Sequence, residues 1–347
     1  MMLTTLFHRW EERLANVSRT ERVVRPFEWG VDWIPSNGHP HEMAPHHHVR
    51  QWIDEVMADT DAFFTPSPTA EYVFAPAPPA LARGGEAGTL TFPSALATPH
   101  DANNTVYARF FPAQDKRRAV VVLPQWNADE SGHTGLSRLL ARLGISALRL
   151  SLPYHDRRMP PELSRADFIV SSNVVRTVQV CRQAVLDARR ALWWLRDQGY
   201  ESLGLVGTSL GSCLAMLTAS HEPLVRAQAL NHVSPFFADV VWRGLSTSHV
   251  RAGMEGHVDL DVLRELWRPI SPWSYLERAR GRKTLLVYAK YDLTFPVDLS
   301  RKLVDEFARL DIPTEVAVLP CGHYSTGQAP YKFLDAYYLA RFLRRNL

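Results

Sequence analysis

The sequence predicts an α/β fold with a mostly parallel central sheet, helices on both faces, an N-terminal helical and loop extension and a short cap insertion. Three observations carry this reading. Strand-like and helical stretches alternate from residue 119 to the C-terminus, the order that builds a parallel sheet. Residues 119–123 form a continuous apolar run, as a strand covered on both faces requires. Finally, Gly207-Thr208-Ser209-Leu210-Gly211 lies between the apolar run 203–206 and a helical stretch at 212–219, so a sharp turn joins a strand to a helix there.

Taken in order, residues 89–92 and 105–111 alternate like an antiparallel pair, and 119–123 is the first buried strand. A helix at 134–143, a strand at 145–150 and a long helix from about 174 to 198 follow, then the strand before Ser209 and its helix. Strands at 225–230 and 283–289, a crossover helix at 300–310, a last strand at 314–319 and a helix at 331–345 complete the alternation. Residues 232–282 interrupt it, are longer than an ordinary connection, and contain Trp242, Trp267 and Trp273. They are expected to form a cap, with Trp242 against substrate.

Upstream, the proline-rich stretch 65–80 reads as a linker between a covering segment, residues 1–80, and a catalytic domain, residues 81–347. Leu3, Leu6, Phe7, Trp10, Leu14 and Val17 recur at helical spacing, predicting a helix packed on the main domain. Charge interrupts this N-terminus before a secretory apolar region is complete, and no stretch reaches the length of a membrane span. The helix lacks the Lys/Arg-rich face of interfacial helices, which argues against peripheral membrane attachment.

A net charge of +3 with no dense basic block argues against a nucleic-acid partner. Three widely spaced cysteines, Cys181, Cys213 and Cys321, do not make a disulfide framework and fit a reducing, cytoplasmic setting. Nothing in the sequence sets the oligomeric state.

The turn at Ser209 has the form of a nucleophile elbow, in which small neighbours two residues either side let backbone pass backbone and leave the hydroxyl exposed. Such a serine needs a carboxylate and a histidine later in the chain, each just past a strand end. Asp292 follows the strand at 283–289 by a short turn, and His323, the only histidine downstream of it, lies four residues past the last strand. His323 would take the Ser209 proton and return it to the leaving group, while Asp292 holds the imidazole tautomer.

The oxyanion requires two backbone N–H donors. Leu210, the residue after the nucleophile, supplies one, and the loop Pro124-Gln125-Trp126-Asn127 the other, with Trp126 the expected donor and Gln125 the alternative. Tyr154, after the strand at 145–150, is a further candidate substrate contact. The cluster His39, His41, His46, His47 and His48 lacks metal-ligand spacing and is expected to be a polar loop, so neither metal nor cofactor is expected.

With these residues in view, the span from about residue 89 to 345 resembles the α/β-hydrolase superfamily. Leu150-Ser151-Leu152-Pro153-Tyr154, the stretch Trp193-Trp194-Leu195-Arg196-Asp197-Gln198-Gly199-Tyr200, Ala289-Lys290-Tyr291-Asp292 and Gly322-His323-Tyr324-Ser325 are similar to the group named α/β-hydrolase domain-containing protein eighteen. The sequence departs from it at Pro124-Gln125-Trp126, where a histidine is common. The resemblance implies a serine hydrolase and names no substrate; a small-molecule carboxylic ester is the expected one, because its carbonyl is the least demanding electrophile for a Ser-His-Asp system and a Trp-containing cap favours an acyl or aromatic substrate. A thioesterase or peptidase with the same triad, or a non-catalytic binding protein on the same scaffold, are the alternatives.

Overall fold

A computed structural model describes residues 2–17, 21–35 and 44–347. Its sheet has nine strands among the described residues: β1 (Val73–Pro76), β2 (Gly88–Pro93), β3 (Thr105–Phe111), β4 (Arg118–Leu123), β5 (Ser146–Leu150), β6 (Ser202–Thr208), β7 (Val225–Asn231), β8 (Lys283–Ala289) and β9 (Thr314–Leu319). They lie in the order β1-β2-β3-β5-β4-β6-β7-β8-β9. Pairings from β1 to β5 are antiparallel, and those from β5 to β9 are parallel.

Alternation along β6 shows how two layers cover the sheet. Leu203 and Leu205 face the core that includes the helices Val174–Asp197 and Leu210–His221, while Val206 faces the core formed with Thr134–Arg142 and Tyr331–Asn346. Both faces of β4 and β5 are therefore buried; β4 is apolar from Ala119 to Leu123, while β5 also buries Ser146 and Arg149, the latter paired with Asp156.

The strand β1 was not expected from the sequence. The proline-rich stretch contributes β1, which pairs with β2 from Val73↔Thr91 to Pro76↔Gly88, so the expected boundary at residue 80 runs between two strands of one sheet. Proline is compatible with this position because β1 is an exposed edge strand and Pro76 is its last residue.

The segment between β7 and β8 holds the helices Phe237–Arg243, Ser248–Met254 and Leu260–Leu266. Trp267 anchors it: the indole is fully buried, packs edge-on against Phe237 and donates Nε1–H to the Val174 carbonyl at 3.2 Å. The N-terminal helix Met2–Asn16 stacks Phe7 on Tyr291, with ring centroids 4.5 Å apart, and buries Glu11 and Ala15, whereas Leu3 and Leu6 remain exposed. Among the described residues no helix is long and apolar enough to cross a membrane.

Candidate active site

Ser209 sits between β6 and the helix Leu210–His221 with φ 57° and ψ −121°, a backbone conformation that L-residues rarely hold. Its amide donates to the Asn231 carbonyl on β7 at 2.8 Å, which helps fix the turn. The flanking glycines are required by contact distance. A Cβ on Gly207 would lie 2.1 Å from the Gly211 carbonyl oxygen, and one on Gly211 would lie 2.1 Å from the Leu123 carbonyl oxygen.

The parallel arrangement of β6, β8 and β9 brings the three predicted residues together. His323 Nε2 lies 3.1 Å from Ser209 Oγ, and His323 Nδ1 lies 2.9 Å from Asp292 Oδ2. Asp292 Oδ1 accepts the amides of Thr294 and Phe295 at 2.8 and 2.7 Å. Burial alone would raise the Asp292 pKa, but His323, His232 and their hydrogen bonds hold it well below the usual carboxylate range.

His232, absent from the sequence expectation, is the fourth member of this cluster. It follows β7 at φ 57°, is buried, and directs Nδ1 at Asp292 Oδ2 at 2.9 Å. Its amide donates to the Val287 carbonyl on β8, and its carbonyl accepts from Ser212 Oγ. Burial, reinforced by His323, lowers the His232 pKa against the opposing pull of Asp292, so the ring is neutral near pH 7. Its place at the opening of the insertion gave no motif, although a histidine directly after a parallel strand, level with the elbow, was the available signal.

His232, Asp292 and His323 are also the one group among the described residues with ligand atoms close enough for a metal, within 4.8 Å of one another. Both Nδ1 atoms are spent on the same carboxylate oxygen, the geometry of a proton-handling cluster.

A second histidine supports the loop after β4. His155 shares its Nδ1 proton with the Pro153 carbonyl at 2.8 Å, so Nε2 is free to accept the Asn127 amide at 2.9 Å. Burial lowers its pKa to about 4, which preserves this neutral tautomer. Pro124 has no N–H and the Asn127 amide is taken, whereas the amides of Gln125 and Trp126 make no hydrogen bond among the described residues. The loop is tied on its other side by Trp126 Nε1–H to the Ala166 carbonyl and by the Ala166 amide to Asn127 Oδ1, each at 2.8 Å.

The loop carrying His323 is braced from the far end of the chain. Glu11, fully buried in the N-terminal helix, accepts the amides of Tyr324 at 2.7 Å and Ser325 at 2.9 Å. Gly322 permits this approach, since a Cβ there would lie 2.3 Å from Glu11 Cδ.

A cavity of about 1020 Å³ opens over Ser209, lined on the insertion side by Phe236, Phe237, Val240 and Val241 and also by Gln125, Trp126, Leu210, His232 and His323. The two expected substrate contacts lie elsewhere. Tyr154 is fully buried, its hydroxyl 3.0 Å from His100 Nδ1, because a turn with positive φ directs it into the core. Trp242 packs on the core beneath Arg251 and does not line the cavity, which the insertion lines with the opposite side of the same helix. His46, His47 and His48 form the first turn of the helix Pro45–Ala58 instead of a loop, and His39 and His41 lie outside the described residues. Cys321 is buried 3.2 Å from Thr326 Oγ1, and burial pushes its thiol up to about 12, as for a packed residue.

Comparisons with known proteins agree with this architecture. Acetyl xylan esterase 1 from Thermoanaerobacterium sp. superposes with a TM-score of 0.63 at 12% identity, covering 85% of this chain and 98% of that one. An acetyl xylan esterase from Paenibacillus sp. R4 gives 0.61 at 14% identity over 91% of this chain and 98% of that one. An acylaminoacyl peptidase from Pyrococcus horikoshii gives 0.57 at 14% identity, covering 70% of this chain but only 40% of the peptidase. At these identities the likeness is one of fold. An uncharacterized Mycobacterium tuberculosis protein is 34% identical over 131 residues, 35% of this chain and 31% of its own length, so the match spans about a third of that relative. Residues 90–269, more than half of the 347, match the family described as alpha/beta hydrolase domain containing 18, and the chain belongs to that family.

Proposed function

We propose that the protein is a serine hydrolase that cleaves carboxylic esters through Ser209, His323 and Asp292. The observation that carries this reading is the continuous hydrogen-bonded line from Ser209 Oγ to His323 and on to Asp292, at 3.1 and 2.9 Å. In that arrangement His323 Nε2 takes the proton as Ser209 Oγ attacks the ester carbonyl, and the Asp292 carboxylate stabilises the imidazolium. The amide of Leu210, with that of Gln125 or Trp126, receives the negative charge on the carbonyl oxygen. Collapse expels the alcohol, which takes the proton from His323. Water then attacks the acyl-enzyme by the same route, releasing the acid and restoring Ser209.

An ester is the least demanding electrophile for this set of groups, and the apolar insertion wall suits an acyl chain. We read the insertion 232–282 as a cap and residues 1–80 as a covering segment, because residues from both, including Glu21 and Arg22, border the same cavity. The three cysteines are free and buried, in keeping with a reducing compartment such as the cytoplasm. The test is turnover of a chain-length series of 4-nitrophenyl esters beside a thioester and a peptide, with Ser209→Ala as control. Ester cleavage that Ser209→Ala abolishes is expected. Cleavage of the peptide or thioester alone would overturn the ester assignment.

A further inference from the structure

Arg165 lines the cavity as a buried cation held only by loose ion pairs, with its Nε unpartnered. Its side chain is only 8% exposed, yet it makes no hydrogen bond among the described residues, and its nearest carboxylates are Asp167 at 3.5 Å and Glu21 at 3.8 Å. Asp167 is shared, since Arg25 also approaches it at 3.5 Å, and Glu21 is 64% exposed and therefore well screened. The guanidinium lies over the Trp126 ring, 5.4 Å from its centroid. A guanidinium carries five N–H donors, and burying it without hydrogen-bond partners is costly unless something else supplies acceptors.

Its position relates it to the reacting carbonyl. Both Arg165 and Arg22 line the cavity over Ser209. The backbone of Ala166 is fastened to Trp126 and Asn127 by the two 2.8 Å hydrogen bonds of the oxyanion loop, so Arg165 is held beside that loop. The local balance is positive: Arg22, Arg25 and Arg165 face Glu21 and Asp167. His249, stacked on Trp126 within 5° of parallel, feels the excess, because burial and then Arg165, Arg22 and Arg25 all lower its pKa, to about 4.

We propose that Arg165 forms an anion subsite of this cavity that takes a carboxylate or phosphate group of the substrate, with Arg22, whose guanidinium is bonded to the Ala15 and Leu245 carbonyls and the Tyr324 hydroxyl, adding positive charge to the cavity lining. The planar fork of Arg165 would receive two acid oxygens side by side, an arrangement a lysine cannot reproduce. On the ester-hydrolase reading above, the preferred substrate is an ester that carries an acid group as well as the scissile bond.

Ligand-induced stabilisation tests the subsite without depending on turnover. Glutarate and propyl phosphate are titrated separately against the wild type, Arg165→Met and Arg165→Lys, with the melting temperature as the readout. At least one anion should stabilise the wild type, its apparent Kd should rise by at least about tenfold in Arg165→Met, and Arg165→Lys should fall between them. The anion that responds identifies the acid. Wild type that binds neither anion, or all three proteins binding alike, would overturn the inference. Arg165→Lys keeps the test valid if Arg165→Met does not fold. Anion binding without ester turnover would count against the ester reading and leave the subsite standing, whereas turnover without anion binding would do the reverse.

Discussion

His232 and His323 lie with ring centroids 4.2 Å apart and direct their Nδ1 atoms at the same oxygen of Asp292, each at 2.9 Å. A carboxylate oxygen only accepts, so both Nδ1 atoms carry protons and, in the neutral rings, both Nε2 atoms hold lone pairs. The His323 lone pair meets Ser209, whereas His232 Nε2 has no partner among the described residues and its ring borders the cavity. His232 thus helps position Asp292 for its partner histidine.

Replacing His232 with Phe removes one of the four hydrogen bonds to Asp292 while filling similar space. We expect kcat for a 4-nitrophenyl ester to fall roughly 10- to 100-fold, the equivalent of one hydrogen bond to a charged group. Ser209 should remain reactive towards a fluorophosphonate, only more slowly. Unchanged kcat would show that Asp292 needs no help from His232.

Glu11→Ala leaves the Tyr324 and Ser325 amides without their buried acceptor. Stability should drop by roughly 2–3 kcal/mol, measured by urea unfolding, because hydrogen bonds to a charged group are lost together. Activity should fall as well, since these amides directly follow His323.

The loop after β4 gives a kinetic prediction. His155→Phe removes the acceptor of the Asn127 amide, so the amides of Gln125 and Trp126 lose their fixed direction. Because oxyanion donors act mainly in the transition state, kcat should fall by about 10-fold or more with KM little changed. A rise in KM alone would assign the loop to substrate binding.

Burial lowers the pKa values of His133, His155, His221 and His249 to about 4 from an ordinary 6.5. Between these values the unfolded chain binds more protons than the folded one, so their contribution is present above pH 6.5 and lost as pH falls towards 4. Asp335 works in the opposite direction. Burial raises its pKa to about 7 from 3.8, so its contribution is present below 3.8 and lost as pH rises through 7. Four histidines against one aspartate predict a melting temperature that declines from pH 6.5 to 4.5, and a flat profile there would contradict their burial as neutral rings.

The elbow, Asp292 and His323 were legible in the sequence because each sits at a fixed offset from a strand end, and strand ends are marked by apolar runs. Glu11 was not legible as a support. Its contacts lie 313 and 314 residues away, and helical periodicity places it only at the edge of the apolar stripe, beside Phe7 and Leu14. Tyr154 misled because its offset from β5 is right while its backbone has positive φ, which sends the ring inward. β1 was hidden by the prolines around it and by Pro76 at its end, which an exposed edge tolerates.

Whether Ser209 is the nucleophile is read most directly from the site of fluorophosphonate attachment, by intact mass and peptide mapping. One adduct per chain is expected, on Ser209, formed far more slowly in His323→Ala and absent from Ser209→Ala together with ester turnover. A folded wild-type protein that takes no adduct on Ser209, or a Ser209→Ala variant that hydrolyses esters at the wild-type rate, would contradict it.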